Sequence, residues 1–98
     1  MTPAELKLIA GLLGVELSYL TEVLDTANSD ELWTIAGRVI EQMRERGSTV
    51  ELHNAGDFDR KEECFAQFNL DHAAVCAWTD TLPAAILKAA CKAIGAAP

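Results

Sequence analysis

The chain has 98 residues, half of them hydrophobic, and a formal net charge of −7 with a sequence pI of about 4.6. This composition excludes a disordered chain, and no apolar run reaches the roughly 20 residues that a membrane-spanning helix needs. Eight basic residues against fifteen acidic ones disfavour a surface that binds nucleic acid by neutralising phosphates. The length predicts one small domain, or two small units sharing a core, and the acidic balance favours basic partners.

The first two predicted helices belong to an N-terminal unit, residues 1–47. One lies in TPAELKLIAGLLG, where Pro3 suits a helix start and Gly14 a helix end. The other lies in the acidic segment ELSYLTEVLDTA, which follows Val15 directly. Both segments are short, so they need a packed neighbour to be stable as helices.

A third helix is predicted near 29–46. Asn28 and Glu31 have the spacing of a capping box, and Gly47 follows the last turn as a stop. The apolar positions recur with helical spacing and are Leu32, Ile35, Ala36, Val39, Ile40 and Met43.

The remaining elements belong to a C-terminal unit, residues 58–98, after a predicted loop at 48–57. Helices are predicted near 59–68, with Asn69 closing the helix, and near 71–79. The last helix begins at Pro83 and ends at Gly95. The sequence therefore predicts an all-α protein, a compact bundle of about five to six short helices.

A possible internal repeat relates the two units at an offset of fifty-five positions. Apolar and turn positions of a helix-turn-helix occur as Ala10, Gly14, Val15, Leu20 and Val23, and again as Phe65, Asn69, Leu70, Val75 and Trp78. Leu32, Ala36 and Val39 likewise correspond to Leu87, Cys91 and Ile94. Two tandem helix-turn-helix-like units would explain this pattern, and so would chance agreement between two amphipathic helical hairpins.

The second unit carries a more specific resemblance, over residues 58–95. Ala74, Val75 and Trp78, followed by the pair Leu82–Pro83, have the spacing found in one class of regulators. The segment resembles the helix-turn-helix of Cro-type repressors of lambdoid phages and of related YdaS-like regulators. The resemblance implies a DNA-reading helix at 71–79, whose reading positions are Asp71, His72, Ala73, Cys76, Ala77 and Thr79.

The residues that would touch DNA depart from this pattern. The turn glycine of the family is Asn69 here, and its polar reading positions are Cys76 and Ala77. No Lys or Arg occurs within 71–80, although phosphate contacts need donors. The helical scaffold is thus expected to persist with a different binding surface.

Metal binding and catalysis are both disfavoured. His72 and Cys76 lie four residues apart, and Cys64 and Cys91 could approach them, but no C-x-x-C pair is present. Cysteines at such positions are more often buried as small apolar groups, and no oxyanion hole or third orienting group accompanies a Cys–His pair. We expect no catalytic, metal-binding or cofactor-binding residue. Three cysteines without a secretory signal predict a reduced, cytoplasmic protein.

The remaining candidates are protein-binding residues. Glu16, Glu22 and Asp25 occupy the second helix without any basic residue, and Leu17, Tyr19 and Trp33 fall outside the best core positions. Exposed aromatic side chains beside acidic ones are typical of a protein-binding surface, although each could instead pack against the second unit.

The favoured hypothesis is therefore a small, acidic, non-enzymatic regulatory protein of phage or mobile-element type. It would inhibit or modulate a basic or nucleic-acid-binding target by protein–protein binding on a helix-turn-helix scaffold. The alternative is a Cro-like DNA-binding transcriptional regulator. A homodimer is compatible with either hypothesis.

Overall fold

Four helices and one three-stranded sheet make up the chain in a computed structural model that describes residues 1–54, 64–71 and 73–96. The elements, in chain order, are α1 (Pro3–Leu13), α2 (Leu17–Thr26), α3 (Ser29–Glu45), β1 (Thr49–Asn54), β2 (Cys64–Leu70), β3 (Ala73–Thr79) and α4 (Leu82–Ala96). None of the helices in these described ranges is long and apolar enough to cross a bilayer.

The three N-terminal helices lie where the sequence predicts them. Thr2 and Glu5 form a reciprocal capping box at the start of α1, and Gly14 ends that helix with a left-handed φ of 70°. The Asn28 side chain accepts a hydrogen bond of 2.9 Å from the Glu31 N–H at the start of α3. These local caps fix the helix ends independently of the rest of the fold.

The prediction of an all-α bundle is wrong in the C-terminal half. The segment predicted as a loop at 48–57 contains β1. In the segment predicted as a helix at 71–79, Asp71 is a turn residue and residues 73–79 form β3. Of the helix predicted at 59–68, residues 64–68 belong to β2, and the rest lies outside the described residues. The three strands form an antiparallel meander in the order β1-β2-β3.

Alternating burial explains why this segment forms strands. Cys64, Ala66 and Phe68 are buried while the residues between them are only half-buried, a period of two that a helix cannot satisfy. Asp71 follows with a positive φ of 46°, and Leu70 pairs with Ala73 across the resulting short connection. The Phe65 to Phe68 spacing and the alanines of β3 also suit a helix, which is why the sequence is ambiguous here.

The proposed tandem helix-turn-helix repeat is wrong for the same reason. Its first copy falls on α1 and α2, whereas its second copy falls on β2 and β3. Asn69 does not end a helix but pairs with Thr49 in the sheet. Of the segments that the repeat would pair, only α3 and α4 are both helices. The other matched apolar positions follow the helical period in the first copy and the strand period of two in the second.

The core lies around α4, which packs against the sheet on one side and against α1 and α3 on the other. Because α4 has neighbours on both sides, most of its residues are buried, and small alanines keep the layers close. Phe68 from the sheet and Ile9, Val39 and Met43 from the helices complete this core, so both halves of the chain contribute to it.

Candidate functional site

The helix α2 is the least buried helix of the protein. Leu20 is its only buried residue, and its principal neighbour is α1. Val23 and Leu24 are half-buried against the core, while the opposite side of the helix faces solvent. A helix attached along one narrow stripe leaves most of its surface free for another molecule.

The structure exposes every predicted protein-binding residue. The exposed candidates on α2 and its cap are Glu16, Leu17, Tyr19, Glu22 and Asp25. We call the solvent-exposed surface of α2 and its cap the α2 face; Leu17 and Tyr19 are two residues apart on the helix, so they lie toward opposite edges of this surface. Tyr19 has 55% of its surface accessible and Leu17 has 41%. A large part of each side chain is therefore accessible to another molecule.

Trp33 belongs to the first turns of α3, shortly after α2 ends. It is 44% exposed, although Ala36 on the next turn is fully buried. A partly exposed indole combines a large apolar area with few rotatable bonds, which suits it to an interface. The structure therefore supports its inclusion as a candidate contact.

A cleft of about 680 Å³ borders the α2 face. Its apolar wall consists of Leu6, Leu24, Leu32, Ala84 and Leu87. Polar groups at the cleft are Thr2, Glu5, Thr21, Asp25, Thr79, Thr81 and Lys88. The Thr2 backbone N–H donates to the Glu5 carboxylate and lowers the pKa of Glu5, so this carboxylate stays charged. Such a cleft can take an apolar side chain from a partner whose flanking groups are basic.

The predicted DNA-contacting residues do not share one surface. Asp71, Ala73 and Cys76 are exposed, whereas Ala77 is buried on the side that faces α4. Thr79 is half-buried and His72 lies outside the described residues. Because successive side chains of a strand point to opposite faces, β3 cannot present these positions together as a helix would.

The cysteines are separated rather than clustered. Cys64 and Cys91 are buried, and their thiols donate to the carbonyl oxygens of Asp80 and Glu5, each at 3.5 Å. Cys76 is exposed on β3. Among the described residues no three His, Cys, Asp or Glu side chains are placed to hold a metal ion.

Burial of the Cys91 thiol makes the stability of the fold sensitive to alkaline pH. Desolvation, followed by the nearby Glu5 carboxylate, raises the pKa of Cys91 from 9.0 to about 11. The unfolded chain therefore loses this proton at lower pH than the folded chain, and the free energy of unfolding decreases as pH rises through this range. We expect urea denaturation to show a steeper loss of stability between pH 9 and 11 for the natural chain than for Cys91→Ala. Cys76→Ala, which removes an exposed thiol, is the control and should lose stability with pH as the natural chain does. The same dependence of stability on pH in Cys91→Ala and the natural chain would contradict a raised pKa for Cys91.

The outer side of the sheet is a second surface, which sequence reasoning missed. We call it the sheet face; it carries the outward side chains of all three strands, opposite α4. The rings of His53, Phe65 and Trp78 form a row across the strands, with centroid distances of 5.6 and 4.9 Å. The sequence carries no clear signal of this face, because the outward Phe65 is as apolar as the buried Phe68 and hides the alternation within 64–70.

Next to the aromatic row, polar side chains of the sheet face form a hydrogen-bonded chain. The Gln67 amide donates to the Glu51 carboxylate at 3.1 Å and to the Asn69 side-chain oxygen at 2.9 Å. The Asn69 amide in turn donates to the Thr49 hydroxyl at 3.2 Å. These bonds hold both amides in fixed orientations.

No family model, no curated protein and no solved structure matches the chain. The resemblance to Cro-type regulators therefore gains no support from comparison.

Proposed function

We propose that the chain is a small, acidic, non-enzymatic regulatory protein that acts by binding another protein through its α2 face. The observation that carries this proposal is the exposure of Leu17 and Tyr19 among three carboxylates, on a helix that contains no basic residue. The partner class that fits this surface is a basic protein, including one that binds nucleic acid.

The α2 face and Trp33 of α3 contribute apolar area and charge to this proposal in different ways. Tyr19, Leu17 and Trp33 supply apolar area, and such anchors carry most of the binding energy at protein interfaces. Glu16, Glu22 and Asp25 attract a basic surface and orient it, in line with the net charge of −7. By covering cations that the partner needs for its own ligand, the chain would inhibit or modulate that partner.

A DNA-binding role has less support. It requires a reading helix over 71–79, and residues 73–79 form a strand whose side chains alternate between the core and the sheet face. The phage or mobile-element origin depends on the resemblance alone. We retain DNA binding as an outcome that the following experiment would detect.

The central test is capture of the partner by immobilised protein from extracts of the cells that produce it. We expect the natural chain to capture a basic protein, identified by mass spectrometry and then purified for affinity measurement. Glu16→Lys/Glu22→Lys/Asp25→Lys should weaken binding of that purified protein by at least about tenfold, because several close charge pairs reverse sign. Higher salt should weaken binding of the natural chain, since exposed charges are screened.

A matched variant separates the α2 face from net charge. Glu41→Lys/Glu45→Lys/Asp71→Lys makes the same change in charge at exposed positions outside the α2 face and its cleft, and it should weaken binding much less. Equal losses in both variants would show that only overall charge matters. Tight binding of duplex DNA by the natural chain, with a steep inverse dependence on salt, would replace the proposal with a DNA-binding function.

A further inference from the structure

We propose that the sheet face binds an arginine side chain of a partner protein segment, between the Phe65 ring and the Glu51 carboxylate. This site is separate from the α2 face and does not depend on it.

The polar groups of this site are acceptors. Both hydrogens of the Gln67 amide are used, toward Glu51 and Asn69, so the Gln67 side-chain oxygen is its remaining hydrogen-bonding group. Within the described part of the chain, no donor reaches that oxygen or the second oxygen of Glu51. Two fixed acceptors on adjacent strands require a ligand that carries several donors.

The aromatic row provides the second element of the site. Phe65 lies on β2 two residues before Gln67, so its ring and the Gln67 amide share the same side of the strand. The Phe65 ring is half-buried, which leaves part of it accessible. A planar cation can lie against such a ring while its edge reaches neighbouring acceptors.

Charge distinguishes an arginine from the other ligands that aromatic sheet surfaces bind. Single-stranded nucleic acid also stacks on aromatic rows, but it needs cations near its phosphates. Glu51 would repel a phosphate, and the outward positions of the three strands carry no Lys or Arg. The Lys92 ammonium donates to the Cys76 carbonyl on β3, at the opposite edge of the sheet from Glu51.

A guanidinium group satisfies these features together. Its five donors lie in one plane, so it can bond to the Glu51 carboxylate and the Gln67 oxygen while its face rests on Phe65. A lysine ammonium lacks the planar fork and is more strongly hydrated, so it fits the site less well. The occupant is therefore an arginine in an extended, basic segment of a partner.

Nuclear magnetic resonance titration of the full chain can test this site. The probes are a flexible Gly-Ser peptide containing arginines, the same peptide with lysines in their place, and free arginine. We expect the arginine peptide to shift the side-chain amide signals of Gln67 and Asn69 and to bind at least several-fold more tightly than the lysine peptide. Free arginine should shift the same signals with weaker affinity, because it lacks the neighbouring peptide contacts.

Two substitutions and one control make the assignment specific. Glu51→Gln keeps an acceptor for the Gln67 amide but removes the charge, and it should weaken arginine-peptide binding about tenfold or more. Phe65→Leu should weaken binding several-fold by removing the ring. Glu45→Gln, which removes one exposed carboxylate from α3, should leave the affinity unchanged.

Several outcomes would overturn the proposal. Equal affinities for the arginine and lysine peptides, or unchanged affinity in Glu51→Gln, would show nonspecific charge attraction. Stronger shifts of the Gln67 and Asn69 signals by a single-stranded oligonucleotide would assign the face to nucleic acid instead. Glu16→Lys/Glu22→Lys/Asp25→Lys, measured at high salt, should still bind the arginine peptide. A loss of binding at the α2 face can therefore be distinguished from a loss of binding at the sheet face.

Discussion

Phe68→Ala is expected to lower the free energy of unfolding by about 3–5 kcal/mol. Phe68 lies in the middle of β2 and is completely buried between the sheet and α4. Its removal leaves a cavity that the close-packed layers cannot fill. Since a domain of this size has a total stability of about 5–15 kcal/mol, urea denaturation would show a large decrease in the midpoint.

Phe65→Ala is the matched control for this prediction. Phe65 lies three residues earlier on the sheet face and is half-buried, so the same substitution should cost only about 1–2 kcal/mol. In a helix, residues three apart lie on one face, and both substitutions would be similarly costly. Similar large losses for the two variants would therefore contradict the strand assignment for 64–70.

Ile86→Ala is expected to lower the free energy of unfolding by about 2–5 kcal/mol. Ile86 is fully buried on α4, the element that contacts both the sheet and the helices. The loss of its side chain weakens the packing of the central helix, so thermal or urea unfolding should remain a single transition at a lower midpoint.

Ile94→Ala, on the same helix, provides the comparison. Ile94 is half-buried near the end of α4, and its truncation should cost about 1 kcal/mol. If the two variants lost the same stability, α4 would not be packed on both sides at Ile86. The central position of α4 would then be wrong.

Local signals made the helical part of the fold predictable. The caps at Thr2 and Asn28 and the apolar stripe of α3 identify helix ends and a buried side without knowledge of the partner elements. The final helix was also predictable, because Pro83 and the following alanines favour a helix at any depth in the core.

The sheet was not predictable from the same signals because its residues fit two periodicities. In 64–70 the half-buried Phe65 has a large apolar side chain, so the alternation of buried and outward residues is masked in the sequence. Strand pairing then favours a strand over a helix for 64–70, since β2 has backbone hydrogen-bond partners on both sides, in β1 and β3. A run of alanines in β3 favours a helix locally, and the tertiary contacts outweigh that preference.

The two candidate surfaces also differ in how far the sequence predicts them. The α2 face could be predicted because an acidic, apolar helix with few core positions is visible in the sequence, and the structure leaves those side chains exposed. The sheet face could not, because Glu51 is brought beside Phe65 and Gln67 only by the register of β1 against β2. The predicted arrangement instead places Glu51 in a loop and puts Phe65 and Gln67 on opposite sides of a helix.

Hydrogen–deuterium exchange of the chain, alone and bound to its purified partner, tests the central proposal most directly. We expect slower amide exchange on binding in α2 and in the first turns of α3 around Trp33, because the partner covers the α2 face and Trp33. Unchanged exchange in α2 in a saturated complex would contradict the proposal, whatever other region became protected.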